Sequence, residues 1–231
     1  MSFFNSTEPI LRRKQQALDY QDIKGLLQID WKISNRRLFS GFYTRIDQAF
    51  VLWGLISAVI FLTAQFAPIS WITQAIFWTI LTVLGTIAMM GLTQFWVRVE
   101  RLEWVLYCWG FLMILGVVIT DCGIFLGWSS VLLHLSHLWL GLSGLGYLCT
   151  ALGLRSRAFL LSGIFHLLGI AVLPYVMGWQ FLTTGLLIVV NLFLLAETQW
   201  DMCPPIHNYA LLTVEQCEFN QQQHRLRQLE H

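Results

Sequence analysis

What most limits the fold of this chain is where its charge is missing. Between Gln48 and Ala196 the only Asp, Glu, Lys or Arg residues are Arg98, Glu100, Arg101, Glu103, Asp121, Arg155 and Arg157. All but Asp121 fall into two clusters, 98–103 and 155–157. The apolar stretches between them are roughly 20 residues long, enough to cross about 30 Å of hydrocarbon at about 1.5 Å per residue. Only 12% of the 231 residues are charged, against about 25% in a soluble domain, so a water-exposed surface cannot be built from them. The sequence predicts an all-α, polytopic transmembrane bundle of about six spans, at 48–66, 71–97, 104–126, 131–152, 159–176 and 180–196. Residues 1–47 then form a basic juxtamembrane segment, 48–197 the membrane domain and 198–231 a tail.

Trp71, Trp96, Trp104, Trp128, Trp179 and Trp200 fall at span ends, where indoles favour the headgroup layer. All 14 Lys and Arg residues lie in 1–47, in the two charged clusters or in the last 20 residues. The connections 67–70, 127–130 and 177–179 carry no charge. The positive-inside rule therefore sets those three turns outside and both termini in the cytoplasm, with the spans paired as three hairpins. A multi-pass protein of a bacterial-type plasma membrane is expected. No cleavable signal peptide is expected, because the first apolar stretch follows 47 largely polar residues and is too long for a signal core. The sequon Asn5-Ser6-Thr7 falls on the cytoplasmic side, and an odd count of five cysteines argues against a disulfide framework.

Before the first span, Ile10, Leu11, Leu18, Ile23, Leu26 and Leu27 recur at roughly helical spacing after Thr7-Glu8-Pro9, which predicts an amphipathic helix. Trp31, Leu38, Phe39, Phe42 and Tyr43, set among Lys32, Arg36, Arg37 and Arg45, read as a segment in the headgroup layer, attracted to anionic lipid by about 1 kcal/mol per basic residue. In the tail, Cys203-Pro204-Pro205 breaks helix, and Thr213 with Gln216 predicts a capped helix over 213–230.

Within the spans, Ser130, His134, His137, Gly141 and Gly144 form one stripe. Ser162, His166 and Gly169 offer a partner stripe, and Thr79, Thr82, Thr86 and Thr93 a third. Small and polar residues in such stripes favour close helix packing. Asp121, His134 and His137 lie at similar depth, within about 12 Å of the outer surface at helical rise. An intramembrane acid beside two histidines at i, i+3 suits a hydrogen-bonded cluster, a proton or ion path, or a metal site. Histidines 134, 137 and 166 are also candidate haem ligands.

Gly141-Leu142-Ser143-Gly144, followed by His166-Leu167-Leu168-Gly169, resembles the G-x-S-G serine motif and histidine element of rhomboid intramembrane proteases, which have six core spans in this orientation. The resemblance implies Ser143 as nucleophile and His166 as its base. That family places a further helix between the two and sets the serine near the outer surface. Here they fall in adjacent spans, toward the cytoplasmic half. Cys203-Pro204 resembles the Cys-Pro haem-regulatory element, which implies Cys203 as a thiolate ligand.

No phosphate loop, dinucleotide fingerprint or paired catalytic carboxylates occur, which argues against a nucleotide-driven enzyme. Membrane residence accounts for the whole composition and each motif for only a few residues. The expected role is therefore non-enzymatic binding or accessory work without a cofactor. Its partners would be the bilayer, anionic headgroups and other membrane proteins rather than nucleic acid. The alternatives are a small transporter or ion path through Asp121, His134 and His137, and an intramembrane enzyme or haem or metal redox protein.

Overall fold

A computed structural model describes residues 3–4, 9–33, 36–204 and 208–229. The sequon, Thr7 and Glu8 of the expected helix start, and Pro205, Ile206 and His207 lie outside the described residues. In chain order the elements are β1 (Leu11–Arg13), α1 (Tyr20–Ile23), β2 (Leu27–Ile33), β3 (Arg36–Tyr43), α2 (Arg45–Phe66), α3 (Trp71–Val99) and α4 (Glu103–Phe125). There follow α5 (Ser129–Leu132), α6 (Leu135–Leu154), α7 (Arg157–Val172) with a 3-10 turn at Leu173–Tyr175, α8 (Gln180–Glu197), β4 (Thr198–Trp200) and α9 (Val214–Leu229). Six helices, α2, α3, α4, α6, α7 and α8, are long and apolar enough to cross a membrane. Large apolar side chains such as Ile87, Phe111 and Leu168 remain exposed on them, as a lipid-facing surface requires.

The fourth span starts later than its composition suggests. The ring of His134 bonds to the Ser130 carbonyl (Nδ1···O 2.7 Å), while its amide donates to Val131 instead. The helix therefore breaks between α5 and α6, and Ser130 is not on a continuous stripe with His137 and Gly141.

Helices α2, α3, α4, α6 and α8 form a ring, and α7 packs outside it on α6. The most extensive contacts join α2 to α8 and α6 to α7, whereas α7 and α8 touch little. Glycine sets both close approaches. A Cβ on Gly144 would lie 3.3 Å from the Gly163 carbonyl oxygen, and one on Gly163 3.1 Å from that of Gly144. On Gly185 it would come within 2.5 Å of Phe61 Cβ. Gly141 is roomier, its nearest neighbour being Ile170 at 3.9 Å, so Gly144 rather than Gly141 sets the α6–α7 distance.

The amino-terminal segment is not the expected amphipathic helix. Leu27, Ile29, Trp31 and Ile33 alternate with Gln28, Asp30 and Lys32, and that period of two wins over a looser helical spacing. β2 and β3 pair antiparallel, with Leu27 opposite Tyr43, after Gly25 at φ +82° ends α1. β1 pairs with β4, Leu11 opposite Trp200, and so ties the first residues to the exit of the last span.

Both terminal segments close over one end of the bundle. The Tyr20 amide donates to Asn220 Oδ1 (2.7 Å), Asn220 Nδ2 to Gln21 Oε1 (2.9 Å), and Gln21 Nε2 to Glu100 Oε1 (2.7 Å). Arg227 donates to both oxygens of Asp19 (3.0 and 3.1 Å). Lys14 pairs with Asp47 at 2.7 Å. Thr213 and Gln216 exchange the reciprocal bonds of a capping box at the start of α9.

Candidate functional site

Inside the ring of helices lies a cavity of about 170 Å³. Its wall follows α4 from Val105 to Asp121, about 24 Å at helical rise. The lining is almost wholly apolar and includes the indoles of Trp53, Trp78, Trp96, Trp109, Trp139 and Trp200. Four of those indoles tie neighbouring helices together. Trp78 Nε1 donates to Thr63 on α2 (2.9 Å) and Trp53 Nε1 to the Met89 sulfur on α3 (3.2 Å). Trp109 Nε1 donates to Thr150 on α6 (2.9 Å) and Trp139 Nε1 to Thr120 on α4 (3.2 Å). A bulky ring whose single donor is satisfied inside the bundle holds two helices a fixed distance apart. The space between such pillars stays open. At about 24 cal/mol per Å³, leaving a void of this size unfilled forgoes on the order of 4 kcal/mol of packing.

The cavity's two ends differ. At one, Thr79 donates to Asp121 Oδ2 (2.8 Å), both residues lying in the wall. At the other, Ile46, Trp96 and Trp200 also line a second, more polar cavity of about 80 Å³ beneath the terminal segments. Lys14, Asp19, Asp22, Asp47 and Arg227 face this vestibule. Trp96 belongs to both spaces and donates to Asp22 Oδ1 (2.8 Å). Trp96 is therefore buried rather than set in a headgroup belt, because α1 brings it a carboxylate partner. Trp71, Trp104, Trp128 and Trp179 are exposed.

Burial pushes Asp22 up to about 7, with the nearby Asp19 carboxylate adding. Burial likewise pushes Glu100 up to about 8, with Asp19 and Asp22 adding. Three carboxylates thus share the neighbourhood of one guanidinium, Arg227.

The residues singled out in the sequence are dispersed. His134 is exposed, and its ring centroid lies 5.1 Å from that of His137, but Asp121 faces the cavity with Thr79. Among the described residues no three His, Cys, Asp or Glu side chains are placed to share a metal ion. His166 is fully buried behind the wall, its Nδ1 bonded to the Ser162 carbonyl (2.8 Å) and its ring 4.9 Å from that of Tyr147. Its Nε2 has no hydrogen-bond partner among the described residues. No Ser143–His166 hydrogen bond exists, so the two do not form the dyad that the protease resemblance implies. Ser143 instead lines the cavity. Cys203 borders the vestibule, and burial, with Glu100 nearby, pushes its thiol up.

Three features escaped the sequence reading: the interior tryptophans, Asn191 and Asp201. Asn191 accepts from Ser162 Oγ (2.9 Å) and draws α7 to α8. Asp201 is 1% exposed and caps α7 from outside the helix. It accepts from Ser156 Oγ and the Ala158 amide (both 3.0 Å), and from the Arg157 amide and Nε (3.0 and 2.9 Å).

No protein-family model, curated protein or solved structure matches the chain. Its six apolar helices define it as an integral, multi-pass membrane protein.

Proposed function

We propose that this chain is a non-enzymatic binding protein of the plasma membrane, with both termini in the cytoplasm, that holds an apolar, membrane-soluble guest inside its helix ring. The observation that carries the reading is the long apolar cavity, kept open by indole pillars and bordered by a polar vestibule at one end only. Pockets that bind small molecules have this make-up, mostly apolar walls with a few polar groups. The positive-inside rule supports the orientation, since the vestibule end carries the basic segments. Anionic headgroups remain the expected contact of residues 31–45.

A brominated hydrocarbon that enters the cavity should quench indole fluorescence of the purified protein saturably, on top of the linear quenching from detergent-facing rings. Linear quenching alone would contradict the reading. The orientation is tested by Ser129→Cys in sealed cells, which should react with an impermeant thiol reagent from outside. Protection there, with labelling after lysis, would reverse it.

A proton path is the second reading, and the position of Asp121 in the cavity wall favours it. It requires pH-dependent flux in liposomes that Asp121→Asn abolishes.

A further inference from the structure

We propose that His134 and His137 bind a zinc ion at the rim of the bundle, on the end away from the terminal segments and apart from the cavity. Depth supports access. α6 has 20 residues, about 30 Å at helical rise, so this helix covers the hydrocarbon thickness by itself. His134 is its N-cap and so stands at headgroup level, with His137 about one turn further in. His134 is exposed there, where an ion arriving from water can meet it.

The break between α5 and α6 prepares the first ring. A carbonyl oxygen only accepts, so the bond from His134 Nδ1 to the Ser130 carbonyl (2.7 Å) keeps the proton on Nδ1 and leaves the Nε2 lone pair free. Histidines that bind metal are commonly held this way through their other ring nitrogen. His137 Nδ1 is buried without a hydrogen-bond partner among the described residues. A buried polar atom left unpaired costs free energy, and ligation of an ion through that nitrogen would remove the cost.

The spacing of the rings selects the ion. A zinc–nitrogen bond is about 2.0 to 2.1 Å and a ring nitrogen lies about 1.1 Å from its ring centre, so a shared ion would sit about 3.2 Å from each centroid. The two centroids are 5.1 Å apart, which closes the triangle at the ion with an angle of about 106°, close to tetrahedral. Cis ligands of a square-planar ion, at about 90°, would need centroids about 4.5 Å apart. Imidazole nitrogen suits zinc, whereas calcium and magnesium take oxygen ligands. Among the described residues no third His, Cys, Asp or Glu side chain is placed to join the pair, and Asp121 is engaged by Thr79. Two of the four positions are therefore left to water or to a donor from another molecule.

The test is a zinc titration of the full chain in detergent. His134→Ala and His137→Ala should each weaken binding of one zinc equivalent at least tenfold. Cobalt(II) in place of zinc should show the intense visible absorption of a tetrahedral site, lost in either variant. Zinc should also shield both histidines of the parent protein from diethyl pyrocarbonate, read by mass spectrometry, a measurement that needs no variant to fold. Equal labelling of the two histidines with and without zinc would overturn the proposal. So would a folded variant that binds zinc as tightly as the parent, which would place the metal elsewhere in the chain. The weak absorption of six-coordinate cobalt would overturn it as well, because the ring spacing calls for a tetrahedral ion. The reading of the cavity stands or falls separately from each of these results.

Discussion

Asp201→Ala should destabilise the protein by about 3 to 5 kcal/mol, since each buried donor left unsatisfied costs about 1 to 3 kcal/mol and Asp201 serves three of them. The size follows from what Asp201 satisfies. Ser156 is of a residue type that ordinarily caps helices, yet it makes no side-chain cap to α7. The first amides of α7 donate to Asp201 from across the tail instead. Truncation strands those amides and the Ser156 hydroxyl together in a buried place. Asp201→Asn keeps an acceptor and should cost less. The exposed pair Arg98–Glu103, 48% accessible on both sides, is the control, and Glu103→Ala should stay within about 1 kcal/mol of the parent. Denaturant titration in detergent gives the comparison. An Asp201→Ala variant that unfolds with the parent would mean that Asp201 does not cap α7.

The terminal cap should loosen as pH rises from about 5 to about 8.5. Asp22 and Glu100 ordinarily lose their protons near pH 4, but in the folded protein they hold them to about 7 and about 8. The folded state therefore binds more protons than the unfolded one across that window, and stability falls with rising pH until both groups are ionised. Each pKa unit is worth about 1.4 kcal/mol, so the loss is on the order of several kcal/mol. Asp19, Arg227 and His224 share the site and spread the change over the cluster. The readout is amide exchange of α1 and α9, corrected for intrinsic rates, because a cap can open while the membrane helices stay folded. Glu100→Gln should flatten the dependence. Equal protection of parent and variant at both pH values would contradict the proton count. Trp96 is the link to the site, since its indole bonds to Asp22 and also walls the cavity.

The membrane class was legible because charge exclusion is a long-range property of composition: seven charged residues across 48–196 leave few ways to fold. The interior of the bundle was not. Lipid and protein core are equally apolar, so a helix facing both carries little periodic signal. Trp53, Trp78, Trp109 and Trp139 therefore read as ordinary span residues. Their hydroxyl partners Thr63, Thr120 and Thr150 were the available clue, since a buried indole needs an acceptor. The histidines misled for the opposite reason. Depth along a helix can be counted, but direction around it cannot, and His166 Nδ1 bonds to its own helix's carbonyl rather than to Ser143. At the amino terminus the alternation of 27–33 was present in the sequence, but the helical spacing was read up to Leu27 and the residues from Trp31 as a headgroup-layer segment. Asp201 could not be found locally, because the amides it caps are some 44 residues earlier in the chain.

The central claim is that the helix ring encloses a site that is filled in the membrane. Native mass spectrometry of the full chain released from lipid nanodiscs tests this most directly. The account predicts a population heavier than the polypeptide by one small apolar guest, surviving collisional removal of loosely held lipid and missing from Ser143→Phe prepared identically. A parent protein that sheds all lipid at the same collision energy as the variant, leaving only the polypeptide mass, would contradict it.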